Sequence, residues 1–189
     1  MTATQWARSR SPEQMLAHLH SVNANERKVR LYICACWRVR APLVRTTEEI
    51  LAEIEAVETD RHRKLKQGYF PTYRDYWDAA RSTREVHERW GKSRQPELCV
   101  PAAEQADLLR DLFGNPFRPV AFDPAWRTDT AVALARQMYD AREFGAMPIL
   151  ADALQDAGCE NEHVLNHCRE ASQVHVRGCW VCDLVLGFA

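Results

Sequence analysis

The sequence predicts an all-α protein of about eight helices in a compact, bundle-like domain. Helix-start and helix-stop residues recur along the chain, and apolar residues return every three or four positions. No alternating run long enough for a strand interrupts this pattern. The 189 residues are 46% hydrophobic and 27% charged. This composition supports one packed domain over residues 1–189, with a loosely attached N-terminal arm.

Four helices are predicted in an N-terminal layer that covers about residues 1–95. Caps, first-turn prolines and closing glycines mark their ends, and apolar or aromatic residues at helical spacing mark the faces that they bury. In chain order, the helices begin after Ser11 at Pro12, span residues 25–40 and 47–68, and follow Pro71 with a largely aromatic buried face.

A C-terminal layer is predicted over about residues 96–189. Its helices cover residues 102–113, 128–139, 147–157, 161–169 and 178–186. Residues 115–126 contain three prolines and three aromatic residues. Because a helix does not tolerate that density of proline, we expect an extended, packed connection that joins the two layers.

Bulk charge and apolar patterning limit the classes of protein. The formal net charge of −1 argues against a general nucleic-acid binder, whose affinity depends on neutralised phosphates, although a local basic face keeps this alternative open. The N-terminus lacks the apolar stretch of a secretory signal, and the longest apolar runs are too short to cross a membrane. We therefore expect a soluble cytoplasmic protein whose partner is another protein and not a membrane.

Side chains that carry chemistry are concentrated in residues 159–182. This segment holds four of the seven cysteines and three of the seven histidines, and in a cytoplasmic chain these cysteines are thiols or metal ligands rather than disulfides. The pair Cys-x-x-Cys and the two histidines four residues apart each share one helix face. The candidate zinc ligands are Cys159, His163, His167, Cys179 and Cys182, with His175 as a substitute.

Two observations favour a structural alternative in which no cofactor is expected. The Cys-x-x-Cys pair lies in the apolar run CWVCDLVLG, whereas zinc-binding pairs usually have glycine or polar residues around them. By helical steps, Val164, Leu165 and Cys168 share the buried face of the preceding helix. His163 and His167 point about 120° away from that face. In this alternative the cysteines are core thiols beside partly exposed histidines.

A catalytic thiol is a third interpretation of the same segment. Cys179 has His175 four residues before it, which is the spacing of a nucleophile and its base on a helix, but Gly178 interrupts that helix. No glycine loop for an oxyanion accompanies the pair.

A second thiol, Cys34, lies on a basic helix face. Arg30 and Arg38 are one turn before and after it and would favour its thiolate if the sulfur is accessible. The structural alternative is an amphipathic helix whose arginines pair with the acidic run over residues 48–60.

Several blocks of the chain resemble a family of uncharacterised bacterial proteins that is typical of planctomycetes, where many paralogues occur. They are LLRDLFGNPFRPVAFDPAW at residues 108–126, MPILADALQDAGC at 147–159 and HVRGCWVCDLVLG at 175–187, with MLAHLH and RKVRLYICACWR nearer the N-terminus. The quoted blocks cover 63 of the 189 residues, a third of the chain. The family has no established activity, cofactor or partner, and its members tend to have an aliphatic residue at position 182. The resemblance thus implies that a metal site needing Cys182 is peculiar to this chain.

No phosphate loop, dinucleotide fingerprint, metalloprotease motif or nucleophile elbow occurs in the sequence. We therefore expect a non-enzymatic interaction or regulatory module that works inside the cell through a helical surface. One alternative is a zinc-binding helical protein with a structural Cys/His site in its C-terminal segment. Another is a thiol-dependent enzyme or redox sensor that uses Cys34 or Cys179.

Overall fold

The computed structural model describes residues 1–40, 48–59, 100–170 and 172–188. Within these ranges the chain forms nine α-helices and two short 3₁₀ helices and contains no strand, which confirms the all-α prediction. The chain divides into two compact units, Met1–Leu109 and Arg110–Ala189. The division falls inside a helix, whereas the sequence suggested a border between layers near residue 95.

In the residues of the first unit that the structure describes, the chain forms four helices and the beginning of a fifth. They are α1 (Ala3–Arg8), α2 (Pro12–Ser21), α3 (Glu26–Arg40), α4 (Glu48–Glu58) and α5 (Ala102–Phe113), of which the last continues into the second unit. The starts of α2 and α3 agree with the sequence, because the Ser11 and Asn25 side chains accept hydrogen bonds from backbone N–H groups in the first turns.

Two parts of the predicted N-terminal layer lie outside the described residues. They are the ends of the predicted third helix, namely Thr47 and residues 60–68, and the whole aromatic helix expected after Pro71.

The N-terminal arm that was expected to be loosely attached is instead the packed helix α1. Thr2 and Gln5 form a reciprocal capping box, in which each backbone N–H donates to the side chain of the other residue. Trp6 is 1% exposed, and its ring meets His18 edge-on with 6.3 Å between centroids. Burial of an indole offsets the entropy lost in ordering a six-residue helix.

An ion-pair network joins α3 to α4. The Arg38 guanidinium donates to both carboxylate oxygens of Glu58, at 2.6 and 3.0 Å, and also to Glu55 at 3.3 Å. The Glu58 side chain is only 3% exposed. The positive charge of the Arg38 guanidinium therefore compensates the negative charge of a carboxylate that is buried from water. This contact is the one expected if the acidic run neutralises the basic helix.

The second unit packs four helices around one core. They are α6 (Asp129–Ala141), α7 (Met147–Asp156), α8 (Glu162–Arg169) and α9 (Trp180–Leu186), with 3₁₀ turns at Pro124–Trp126 and Phe144–Ala146. Helices α6 and α8 each pack against both α7 and α9. The start of α9 is two residues later than predicted, because Gly178 has φ +98°, outside the helical region.

In the ranges that the structure describes, no helix combines the length and apolar character needed to cross a bilayer.

The proline- and aromatic-rich connection forms one side of this core. Its apolar side chains that pack against the buried cluster are Val120, Phe122 and Trp126. Arg127 follows it, and its guanidinium donates to the carbonyl oxygens of Leu184 at 2.7 Å and Val185 at 2.9 Å. These carbonyls belong to the last turn of α9, where a cation is favourable and intrahelical donors are lacking.

Candidate metal centre

Four side chains that can bind a metal ion converge inside the second unit. Asp111 comes from the last turn of α5, His167 from the last turn of α8, and His175 from the segment between α8 and α9. Cys179 is the N-cap residue of α9. Their ligand atoms all lie within 4.8 Å of one another. Elsewhere in the described part of the chain, no group of three or more such side chains is arranged in this way.

The contacts within this group have the spacing of ligands around one ion. His167 Nε2 lies 3.2 Å from Cys179 Sγ and 3.3 Å from Asp111 Oδ1. His175 Nδ1 lies 2.7 Å from the same oxygen and 3.9 Å from the same sulfur. Tetrahedral zinc, with bonds of about 2.0–2.3 Å, places its ligand atoms roughly 3.3–3.6 Å apart. The two His167 distances are close to this range, whereas the two His175 distances would have to change by roughly 0.3–0.6 Å.

One short turn orients two of the four ligands. The backbone N–H of Val176 donates to Asp111 Oδ2 at 2.9 Å, which leaves Oδ1 to face the other three ligands. The carbonyl of Val176 accepts from the N–H of Cys179, also at 2.9 Å. A backbone group that fixes a carboxylate ligand in this way is typical of metal sites.

Close packing at the end of α5 brings Asp111 to the site. Gly114 follows α5 with φ +60°, and a Cβ at this position would lie 3.1 Å from the Trp180 ring. Trp180 in turn contacts the His167 ring, with 5.1 Å between centroids. The missing side chain at Gly114 therefore allows the end of α5 to approach the start of α9.

The group is buried, and its members depend on one another for their charges. Asp111 and Cys179 are 0% exposed. Burial disfavours the Asp111 carboxylate, but hydrogen bonds from His167 and His175 outweigh it and hold the pKa of Asp111 below its ordinary range. Burial also disfavours the His175 imidazolium, yet its hydrogen bond with Asp111 raises the pKa of His175 to about 10. Burial raises the pKa of the Cys179 thiol well above its ordinary value.

A divalent cation would satisfy the whole group at once. It binds a thiolate, a carboxylate and two neutral imidazoles, and its two positive charges cancel the two negative charges of these ligands. A neutral cluster is the form in which such side chains are least costly to bury.

The same contacts do not form a catalytic relay. In a relay of thiol, imidazole and carboxylate, one ring nitrogen faces the nucleophile and the other faces the carboxylate. Here a single nitrogen of each imidazole, Nδ1 of His175 and Nε2 of His167, faces both Cys179 and Asp111. The structure thus brings Cys179 and His175 together, as the catalytic interpretation requires, but in an arrangement suited to a shared ion.

Part of the predicted zinc set lies in this cluster. His167 and Cys179 are members, and so is His175, which was the substitute. Asp111 was missed, because it lies 64 residues before His175 and has no neighbouring ligand. The one signal in the sequence is an acid with Leu108 three residues before it and Leu112 directly after it.

The remaining predicted ligands are not members of the four-residue group. Cys159 is fully buried in the core of the second unit, and His163 is exposed. Cys182 is also fully buried, and its thiol lies 3.7 Å from Met147 Sδ.

The prediction that both histidines of α8 are partly exposed is wrong for His167. Val164, Leu165 and Cys168 are buried as predicted, but His167 is buried too, with 9% of its surface exposed. The helical-wheel argument considered one buried face, whereas the start of α9 covers a second side of α8.

Cys34, the thiol predicted on a face with Arg30 and Arg38, is not accessible. It is 0% exposed, and its Sγ lies 3.9 Å from the carbonyl oxygen of Ile54. Burial, with a smaller contribution from Glu58, raises its pKa to about 12. A buried thiol with a raised pKa is inert unless a metal ion holds it as a thiolate, and Cys34 is not among the four grouped ligands, so this face does not support a reactive cysteine.

No family model matches the chain, and no curated protein or solved structure does so either. The donor atoms therefore define the chemistry of the site. They are one sulfur, one carboxylate oxygen and two imidazole nitrogens, and they are buried.

Proposed function

We propose that the second unit binds one zinc ion through Asp111, His167, His175 and Cys179, and that this ion has a structural role. The observation that carries the proposal is the convergence of both anionic ligands on one nitrogen of each imidazole. Lone pairs that face one another in this way need either shared protons or a cation between them, and a cation satisfies all four ligands.

The donor set favours zinc over other divalent ions. Imidazole and thiolate are borderline and soft ligands that suit zinc, whereas magnesium and calcium prefer oxygen atoms. Four protein ligands leave no open position for a substrate, and a closed site of this kind is structural rather than catalytic.

The ion would join three separate segments of the chain. It would link the end of α5, the end of α8 and the turn before α9. The second unit comprises about 80 residues, and units of this size often use a metal to supplement a small core.

We propose in addition that the chain is a non-enzymatic, cytoplasmic module that binds another protein through a helical surface, and that zinc supports its fold. We also propose that the chain belongs to the planctomycete-type family whose sequence blocks it resembles. The absence of Cys182 from the ligand set removes the conflict between a metal site and an aliphatic residue at that position.

The proposal is tested by metal analysis of full-length, tag-free protein purified without chelator. We expect about one zinc per chain in the wild-type protein and in His163→Ala, which changes an exposed histidine of α8. We expect His167→Ala, one turn further along the same helix, to reduce the zinc content at least tenfold while circular dichroism shows retained helix. Equal zinc content in His163→Ala and His167→Ala, or no zinc in the wild-type protein, would contradict the assignment.

Cobalt substitution provides a second readout that depends on the ligands. Tetrahedral Co²⁺ bound to a thiolate gives visible bands and a sulfur-to-metal charge-transfer band. Cys179→Ser should lose the charge-transfer band, whereas Cys182→Ala and Cys159→Ala should retain it. If Cys182→Ala lost the band and Cys179→Ser kept it, the sulfur ligand would be Cys182, and the proposed ligand set would be wrong.

A further inference from the structure

A second cysteine lies beside the proposed sulfur ligand without being a ligand. Cys179 is the N-cap of α9 and Cys182 is in its first turn. Residues three apart at a helix start have Cα atoms about 5 Å apart, within the range of about 4.4–6.8 Å that a disulfide requires. Cys182 is near enough to Cys179 to contribute, after burial, to the raised pKa of the Cys179 thiol.

The Cys179 sulfur cannot be a zinc ligand and part of a disulfide at the same time. Both cysteines are 0% exposed, and the Cys182 sulfur lies 3.7 Å from the soft Met147 sulfur. A second cysteine next to a metal-bound thiolate is the arrangement of a nucleophile and its resolving partner.

We propose that Cys179 and Cys182 form a reversible disulfide that displaces the zinc ion, so that the site responds to peroxide-class oxidants. This inference rests on the proposed zinc function. It makes Cys182 a site of oxidative modification rather than a core residue only.

The chemistry balances with hydrogen peroxide as the oxidant. The Cys179 thiolate attacks one peroxide oxygen, the O–O bond breaks, and Cys179 becomes a sulfenic acid while hydroxide leaves. The Cys182 sulfur then attacks the sulfenic sulfur, the S–S bond forms, and the sulfenic oxygen leaves as water with the Cys182 proton. Two electrons pass from the two sulfurs to the peroxide. The zinc ion loses its sulfur ligand and dissociates.

Cys168 is the rival partner for Cys179. It follows His167 directly, is 1% exposed, and is close enough for the Cys179 charge to raise its pKa, after burial itself. It lies on α8, however, so a bond to Cys179 would have to join two helices, whereas the bond to Cys182 closes within the start of one helix.

The test treats zinc-loaded, full-length protein with hydrogen peroxide. Released zinc is measured with a chromogenic chelator, and disulfides are mapped by mass spectrometry of non-reduced peptides. We expect zinc release together with a Cys179–Cys182 disulfide in the wild-type protein and in Cys168→Ala. A thiol reductant with added zinc should restore the original zinc content.

Cys182→Ala should bind zinc at the wild-type stoichiometry but form no disulfide at Cys179. With excess peroxide its unresolved Cys179 sulfenic acid should advance to sulfinic acid, which a thiol reductant does not reverse, so its zinc content should not recover. A Cys179–Cys168 disulfide, or Cys179 oxidised alone while Cys182 remains a thiol, would overturn the inference. If the wild-type protein contains no zinc, the proposed function fails separately, and peptide mapping of the metal-free protein still decides whether the two cysteines pair.

Discussion

Asp111 shows how strongly a buried carboxylate depends on its immediate partners. The side chain has no exposed surface, and its two oxygens have separate roles: Oδ2 accepts from the Val176 N–H, and Oδ1 faces both histidines. Isolation of such a charge from water costs several kcal/mol unless opposite charge and hydrogen bonds compensate. A carboxylate at this position would therefore destabilise the fold if it had no partners, whereas a carboxylate that binds a metal ion would have its charge compensated.

Substitution of this carboxylate by an amide tests the contribution of its charge, because the shape of the side chain is nearly unchanged. Asp111→Asn retains an oxygen and the approximate volume but removes the negative charge, so we expect zinc affinity to fall at least about 10–100-fold. The matched control is Asp107→Asn, an exposed acid one turn earlier on α5, which should leave the affinity unchanged. Competition with a chelator of known zinc affinity measures both. An unchanged affinity in Asp111→Asn would remove this residue from the ligand set.

The local part of the site could be predicted from sequence and the distant part could not. His167, His175 and Cys179 lie within 13 residues of one another, so their spacing alone identified them as candidates. Asp111 reaches them only through the tertiary packing of α5. Cys159 and Cys182 were equally plausible by spacing, and only the packing directs their sulfur atoms elsewhere.

At the scale of elements, the contact between Gly114 and Trp180 sets how closely α5 approaches α9. A side chain at Gly114 would have to displace the indole, whose ring carbons lie 3.1–3.4 Å from the position of a Cβ. Trp180 is adjacent to Cys179 and contacts His167. A disturbance here would therefore reach the metal centre without altering a ligand.

Gly114→Ala should destabilise the second unit by about 2–4 kcal/mol, since it combines a positive φ with a steric clash. The control is Gly158→Ala, which has φ +87° but nothing within 4 Å of the added Cβ and should cost only about 1–2 kcal/mol. Urea unfolding followed by tryptophan fluorescence compares the two, and zinc affinity should fall only in Gly114→Ala. Equal losses of stability would mean that the contact with Trp180 contributes nothing.

Helix ends were predictable where a cap or breaker marks them. Ser11, Asn161 and Gly114 act at the ends of helices as the sequence indicated, because capping depends on groups within a few residues. Helix α1 was not predicted, because six residues are too few to show a periodic pattern. Its stability comes from the burial of Trp6, which is a tertiary contact.

At the scale of the whole molecule, the four proposed ligands all belong to the unit Arg110–Ala189. None comes from the described residues of Met1–Leu109. The first unit has its own buried side chains and the ion-pair network around Arg38. The energetic contribution of a metal should therefore be concentrated in one unit, since binding free energy at a structural site becomes folding free energy of the segments that it joins.

Hydrogen–deuterium exchange of the full-length protein, with zinc and after its removal by a chelator, measures that distribution. We expect removal to raise amide exchange in the peptides of α8, α9 and the segment between them, because these elements carry three of the ligands. Peptides from residues 1–40 should change little. The variant His167→Ala should reproduce the pattern without chelator, which excludes direct effects of the chelator on the chain. An equal rise in exchange across both units would show that the ion supports the whole molecule, whereas no rise in α8 and α9 would refute a structural role for the ion.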